Sequence, residues 1–193
     1  FGAGGAQSYY GANPDLTILG KAIGGGVPFA ALAGRELFFE TINAGRVVHA
    51  GTLNGNPLCL AASKWCLDEI LKLGPEHPVP LIGLGRELMA GLSSLAGQHG
   101  VPLHPQGPGL VFHCTMLKPG ADPGPIASYR DYVRRHDGPR WAHLRQCLLT
   151  HGVRAIERGL WFLSLAHTEA DIAEALQRMQ PAFAQHDSEW PAR

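Results

Sequence analysis

The sequence has 193 residues, of which 45% are hydrophobic and 17% are charged, and this composition is typical of a folded globular protein. Sixteen basic and sixteen acidic residues cancel, so the charge favours neither a nucleic-acid partner nor an anionic membrane surface. No apolar run approaches the roughly 20 residues that span a bilayer, and no signal peptide is visible, so no membrane partner is expected.

The cysteines and histidines indicate no metal site and favour a cytoplasmic location. None of the cysteines forms a CxxC pair or a zinc-ligand spacing, and the ten histidines are scattered along the chain. Each cysteine lies in an apolar stretch, which is typical of reduced thiols in a protein core. The four are Cys59, Cys66, Cys114 and Cys147.

The first third of the chain predicts short elements around a lysine turn. A glycine- and tyrosine-rich, loop-like opening ends in the short strand "PDLTILG", which leads into "LGKAIGGGVP" with Lys21 before three glycines. The apolar run Val27–Gly34 predicts a buried strand, "RELFFETI" a short helix, and residues 47–57 a loop.

The clearest predicted helix begins at Pro57, with Asn56 as its cap, and ends near Lys72 and Gly74. The proline-broken segment "GPEHPVP" follows it and predicts a domain boundary. The expected domains are therefore residues 1–73 and residues 80–185.

The second half alternates helices and strands. A leucine stripe predicts a helix from Leu81 to Leu95, and "LVFHCTM" predicts a strand with Leu110, Phe112, Cys114 and Met116 on one face. "SYRDYVRRH" and "RWAHLRQCLLTHG" predict helices, "GVRAI" and "GLWFLSLA" predict strands, and Thr168 caps a last amphipathic helix. The pattern is α/β or α+β.

Lys21 has three interpretations. An exposed lysine beside a turn needs no function. A phosphate-binding P-loop requires the order GxxxxGK[ST], whereas here the glycines follow the lysine and Ala22 replaces the hydroxyl residue. A Schiff-base lysine must lose its proton part of the time, which a dry glycine turn would promote.

The surrounding motifs favour the third interpretation. "PDLTILGKAIGGGVPFAALAGR" resembles the lysine segment of class III pyridoxal-phosphate-dependent aminotransferases, and "HAGTLNGNPLCLAA" resembles their threonine loop and following helix. "GAQSYYGANPDL" and "LSLAHTEADI" look most similar to glutamate-1-semialdehyde 2,1-aminomutases, although "RGLWFLSLA" resembles other aminotransferases. The resemblance implies fold type I, aspartate-aminotransferase-like. Residues 1–73 would then be the later part of the large domain and residues 80–185 the small α/β domain.

The resemblance also implies roles for three residues. Lys21 matches the lysine that forms the internal aldimine with pyridoxal 5′-phosphate, and Thr52 matches the threonine that holds the cofactor phosphate. Arg158 resembles a carboxylate-binding arginine of some β-amino-acid aminotransferases, with Arg154 as a rival and a plain surface arginine as the alternative.

The function that follows is amino-group transfer, as an aminotransferase or an aminomutase, on a small-molecule amino donor and acceptor. The family's other half normally supplies the acidic partner of the cofactor ring nitrogen, so this chain is expected to be a fragment that lacks part of the active site of a homodimer. A non-catalytic relic or dimerisation module, or another pyridoxal-phosphate activity such as racemisation, remains the alternative.

Overall fold

The computed structural model describes residues 1–74 and 76–190, and its contacts divide the chain into two units, Phe1–His77 and Pro78–Arg193. Each unit is described by itself below. None of the helices in these residues is both long and apolar enough to cross a membrane.

The first unit combines a β-hairpin with three helices. The hairpin is antiparallel, with Leu16 opposite Gly34 and Gly20 opposite Ala30. The elements are α1 (Gly5–Tyr10), β1 (Leu16–Gly20), β2 (Ala30–Gly34), α2 (Glu36–Asn43) and α3 (Pro57–Lys72).

Helix α3 starts where the sequence predicts. The side chain of Asn56 accepts a hydrogen bond from the backbone N–H of Cys59 at 3.1 Å, and Pro57 occupies the first turn. The cap satisfies a free donor at the helix start, and proline has no N–H to lose there. Local sequence signals therefore fix the start of this helix.

The first unit buries little of its apolar surface. Among its described residues, only Gly24 and Ser63 are buried, while Val48 is 86% exposed and Trp65 on α3 is 66% exposed. Because apolar burial is the main favourable contribution to folding, this unit has almost no hydrophobic core within the chain itself.

The second unit is an antiparallel three-stranded sheet with helices. The strand order is β3–β4–β5, with Leu103 opposite Met116 and Val111 opposite Phe162. The elements are α4 (Pro78–Gln98), β3 (Leu103–Gln106), β4 (Val111–Met116), α5 (Tyr129–Arg135), α6 (Gly138–Thr150), β5 (Leu160–Phe162) and α7 (Glu169–Glu189).

The hydrophobic core of the second unit lies between the sheet and helices α4, α6 and α7. Strand β4 sends Phe112, Cys114 and Met116 into it, as the alternation predicts, and all three are buried. Leu92 of α4, Leu144 and Leu148 of α6, and Met179 and Phe183 of α7 complete its centre. Each fully buried side chain of this size stabilises the fold by about 1.5–3 kcal/mol.

Several sequence predictions of secondary structure are wrong. Helix α1 and strand β3 were not expected, and only Leu160–Phe162 of "GLWFLSLA" is a strand. "GVRAI" is not a strand, because the Val153 N–H donates to the carbonyl of Leu148 at 2.9 Å and the segment closes the end of α6.

Helix α7 begins as predicted but continues further than the sequence suggests. Thr168 and Asp171 form a reciprocal capping box at its start. The helix passes through Pro181 and reaches Glu189, because Met179, Ala182 and Phe183 on either side of the proline are buried in the core. Their packing outweighs the hydrogen bond that the proline removes.

Candidate functional site

Lys21 stands at the end of β1 in an unusual backbone conformation. Strand β1 ends at Gly20, and residues Lys21–Gly24 form one turn of 3-10 helix. Across residues 1–74 and 76–190, Lys21 is the one non-glycine residue with a positive φ, at 53°. The left-handed conformation costs an L-residue about 1–2 kcal/mol, and such outliers cluster at functional sites.

The glycines and a cysteine of α3 hold this turn in place. The Gly25 N–H donates to the carbonyl of Ala22 at 3.2 Å, and the Cys66 thiol donates to the same carbonyl at 3.2 Å. A Cβ on Gly25, whose φ is +59°, would stand only 3.3 Å from the Cβ of Cys66. The glycine turn therefore lies directly against α3.

Sequence reasoning missed Cys66. Its contact with Ala22 joins residues 44 positions apart, so no local pattern predicts it. Gly25 and Gly26 shape the turn, because their φ values of 59° and 102° are ones that glycine adopts without a steric penalty.

The turn fits covalent attachment of a cofactor aldehyde to Lys21. Lys21 is exposed, and a Cβ on Gly26 in the same glycine run would meet no atom within 4 Å. A primary amine that can lose its proton is the nucleophile needed to form an imine with an aldehyde. The side chain of Lys21 is therefore accessible to the cofactor that the motifs imply.

Thr52 lies in a separate tight turn that leads into α3. The Asn54 N–H donates to the carbonyl of Gly51 at 3.0 Å, and the Asn56 N–H donates to that of Leu53 at 3.2 Å. Thr52 is exposed in this turn. An exposed hydroxyl in a glycine-containing turn suits a phosphate oxygen, because small neighbours let the anion approach the backbone.

Arg158 lies in the second unit and lines a cavity of about 780 Å³. Hydrogen bonds to its two neighbours fix the backbone there: the Trp141 indole N–H donates to the carbonyl of Glu157 at 2.7 Å, and the Cys114 N–H donates to the carbonyl of Gly159 at 2.8 Å. Arg145 of α6 lines the same cavity, whereas Arg154 is exposed and does not line it. Two arginines therefore line this cavity.

Three aromatic side chains that sequence reasoning did not connect share this cavity. The rings of His113 and His136 lie 5.2 Å and 4.6 Å from the ring of Tyr132, measured between centroids. Burial lowers the pKa of His113, opposed by a hydrogen bond to the Arg158 backbone. Burial and the nearby His113 lower the pKa of His136. Neutral imidazoles are therefore favoured beside Arg158.

The three predicted site residues fall in both units. Lys21 and Thr52 belong to the first unit, on separate segments that both adjoin α3, and Arg158 belongs to the second. Their roles remain predictions from the motifs.

The chain is similar to known proteins in both sequence and structure. A sequence profile of the family "Aminotransferase class-III" matches residues 1–183. An omega-transaminase from Sphaerobacter thermophilus is similar in structure with a TM-score of 0.79 and 28% identity, over 95% of this chain and 41% of that one. A beta-phenylalanine aminotransferase from Variovorax paradoxus has the same TM-score and identity, over 98% and 43% of the two chains.

A glutamate-1-semialdehyde-aminomutase from Pseudomonas aeruginosa PAO1 also shares the fold, with a TM-score of 0.79 and 22% identity over 96% of this chain and 42% of that one. The predicted fold class, fold type I, is confirmed by these matches. The chain spans about two fifths of the length of the structures it matches.

Proposed function

This chain belongs to the class III aminotransferase family, and we propose that it is the lysine-bearing part of a pyridoxal 5′-phosphate-dependent enzyme that transfers amino groups. The cofactor of the family is pyridoxal 5′-phosphate. When bound, it supplies an electron-withdrawing ring that stabilises negative charge on the substrate carbon.

The observation that carries the proposal is the conformation of Lys21. Its left-handed backbone is unfavourable for a lysine, yet it is held by the Gly25 and Cys66 contacts to Ala22 and leaves the amine exposed. Strain of this kind persists where function needs the side chain in one place. The geometry supports an amine presented for covalent chemistry.

Each proposed site residue has a distinct task. Lys21 would hold the cofactor covalently through Nζ, and its amine, when free, would accept and return the proton at the substrate carbon. Thr52 binds the cofactor phosphate. Arg158, with Arg145 beside it on the cavity wall, binds a substrate carboxylate through charge-assisted hydrogen bonds.

We favour transamination over an aminomutase reaction, in which the amino group moves between carbons of one molecule. Overall identity does not separate the two reactions, because omega-transaminases range from 18% to 28% identity with this chain and the aminomutase lies between them at 22%. The observation that favours transamination is the sequence "RGLWFLSLA" around Arg158, which resembles aminotransferases rather than aminomutases. The proposed reaction is therefore exchange of nitrogen between an amino donor and an acceptor carbonyl.

We place the active form in a cytoplasmic homodimer in which further protein surface covers the first unit. Exposed apolar side chains such as Val48, Leu58 and Trp65 support this, because large apolar patches mark interaction surfaces. On this proposal the chain alone lacks a complete active site, and the alternative is a non-catalytic dimerisation module.

The first test locates the attachment of the cofactor. The full-length protein that contains this chain is treated with borohydride, digested and analysed by mass spectrometry. We expect the pyridoxyl group on Lys21, and loss of both this adduct and the visible absorption in Lys21→Ala. Lys64→Ala, which changes an exposed lysine of α3, is the control and should retain them. An adduct on another residue, or none at all, would refute the proposal.

The second test concerns the substrate carboxylate. Loss of a charge-assisted hydrogen-bond pair of about 1.5–3 kcal/mol predicts that Arg158→Gln raises KM for an amino acid by about 10- to 100-fold. KM for an amine without a carboxylate should change little. Arg154→Gln is the matched control, since Arg154 is exposed but does not line the cavity. Equal effects of the two substitutions would contradict the assignment, and product analysis separates transamination from isomerisation.

A further inference from the structure

Helices α6 and α7 bring together two imidazoles and a thiol that have no part in the proposed reaction. His143 and Cys147 stand one turn apart on α6, and His186 lies opposite on α7. Their three ligand atoms all lie within 4.8 Å of one another. His186 is fully buried, Cys147 is 2% exposed, and the side chain of His143 is 28% exposed.

The distances are close to those that a tetrahedral metal ion needs. The Nδ1 atoms of His143 and His186 are 2.9 Å apart, and the Cys147 Sγ is 3.9 Å from the His143 Nδ1. With metal–nitrogen bonds of about 2.05 Å and a metal–sulfur bond of about 2.3 Å, these separations become about 3.3 Å and about 3.6 Å. The third pair, Cys147 Sγ and the His186 nitrogen, lies within 4.8 Å and would have to close to about 3.6 Å, so side-chain shifts of up to about 1 Å would be needed.

The remaining nitrogen of His143 has the partner expected of a metal ligand. Its Nε2 lies 3.3 Å from Oε2 of Glu189, so a carboxylate stands close to this nitrogen while Nδ1 faces the cluster. Such a carboxylate fixes the ring orientation and makes the ligand nitrogen more basic. Burial, together with His143 and Arg140, lowers the pKa of His186 to about 4, so its imidazole is neutral at physiological pH.

Without metal, the same groups form a hydrogen-bond chain. Arg140 Nε–H donates to Nε2 of His186 at 3.4 Å, and the proton between the two Nδ1 atoms then belongs to His186. A metal ion would send that proton to the His186 Nε2 and release the thiol proton of Cys147 to solvent. The Arg140 Nε–H must leave Nε2 for this, while the bond from the other end of its guanidinium, NH2, to the Gly100 carbonyl at 3.5 Å can remain.

We propose that His143, Cys147 and His186 form a zinc site that links α6 to α7 in the second unit. Two imidazole nitrogens and a thiolate suit Zn²⁺, and a site with three protein ligands leaves the fourth position to water. The carboxylates of Asp187 and Glu189 offset the charge of the ion and of Arg140. The sequence predicted no metal site, because the two helices contribute ligands that are far apart in the chain.

The test uses Co²⁺ as a spectroscopic probe on the reduced, chelator-treated full-length protein. We expect the d–d and thiolate charge-transfer bands of tetrahedral cobalt to saturate at one equivalent and to disappear when Zn²⁺ is added. Zn²⁺ should also raise the midpoint of thermal unfolding as its concentration increases. Trp190, whose ring lies 5.4 Å from that of His143, provides a second signal because bound Co²⁺ should quench its fluorescence.

Substitutions distinguish metal binding at this site from nonspecific metal binding. His143→Asn should weaken Co²⁺ binding by more than about 100-fold, and Cys147→Ser should abolish the charge-transfer band. His151→Asn is the matched control, because His151 follows α6 and hydrogen-bonds Gln185 of α7 at 3.2 Å, outside the cluster. It should bind like the unmodified protein.

A third variant covers the case in which His143→Asn does not fold. Glu189→Gln keeps all three ligands and should weaken binding by about 10- to 100-fold, because it removes only the carboxylate behind His143. Absence of a saturable cobalt spectrum, or one unchanged in His143→Asn or in Glu189→Gln, would overturn the proposal.

Discussion

At the scale of single residues, the two histidines of the cavity beside Arg158 make the second unit sensitive to acid. Burial lowers the pKa of both His113 and His136 in the folded protein. The unfolded chain, in which a histidine titrates near its ordinary value of about 6.5, therefore binds more protons at mildly acidic pH. Their contribution to stability is fully present above about pH 6.5 and is lost as the pH falls through the lowered values.

We therefore predict that the free energy of unfolding falls between about pH 7.5 and about pH 5, and that His113→Gln reduces this dependence. Urea unfolding at both pH values measures it. The difference between the variant and the unmodified protein isolates His113 from other titrating groups. An identical pH dependence in the two proteins would contradict the prediction.

The motifs suggest which residues form the candidate site, but they do not predict which distant residues contact them. Lys21 and Thr52 are predicted from two motifs that resemble the lysine segment and the threonine loop of the family, and their roles stay predictions. Cys66 beneath the lysine turn, and His113 beside Tyr132, could not be found. Each belongs to its site only through contacts between distant parts of the chain.

At the scale of elements, two glycines of α4 should respond oppositely to the same substitution. A Cβ on Gly85 would overlap the carbonyl of Gly109, whereas a Cβ on Gly83 would meet nothing within 4 Å. Gly85→Ala should destabilise the protein by about 1–3 kcal/mol through overpacking against backbone. Gly83→Ala should stabilise it by about 0.5–1 kcal/mol, because alanine loses less backbone entropy in a helix.

Urea denaturation of the two variants gives this comparison. Each glycine controls for the other, since both lie in the same helix and receive the same methyl group. Destabilisation of equal size in both variants would contradict the prediction.

The elements that could be predicted are those with local signals. Asn56 and Thr168 cap α3 and α7, and the leucine stripe of α4 buries Leu88 and Leu92 as expected. Strand β3 could not be predicted, because "LHPQ" contains Pro105 and lacks a strand-like alternation. It is a strand because it pairs with β4 at the edge of the sheet, where a proline is tolerated.

At the scale of the whole molecule, the two units differ in how much apolar surface they bury. The second unit has a continuous core around Phe112, Met179 and Phe183. In the described part of Phe1–His77, only Gly24 and Ser63 are buried. A unit without a core of its own opens more readily, because local stability follows local burial.

Limited proteolysis of the chain should therefore degrade Phe1–His77 first and leave a resistant product that begins near Pro78. Mass spectrometry of a digestion time course with a protease of broad specificity measures this. Equal rates of loss from the two units, or survival of the first, would contradict the prediction. Added cofactor or a covering protein partner should slow cleavage of the first unit.

The left-handed backbone at Lys21 also bears on how variants of this protein should be ranked. Glycine would occupy that position without steric penalty, so Lys21→Gly would increase the stability of the fold. A redesign that selects for stability alone would therefore make this substitution. On the proposed function, the exchange would delete the amine that attaches the cofactor. Thermal stability and the proposed activity would therefore favour different residues at this position, and a screen for one should not replace a screen for the other.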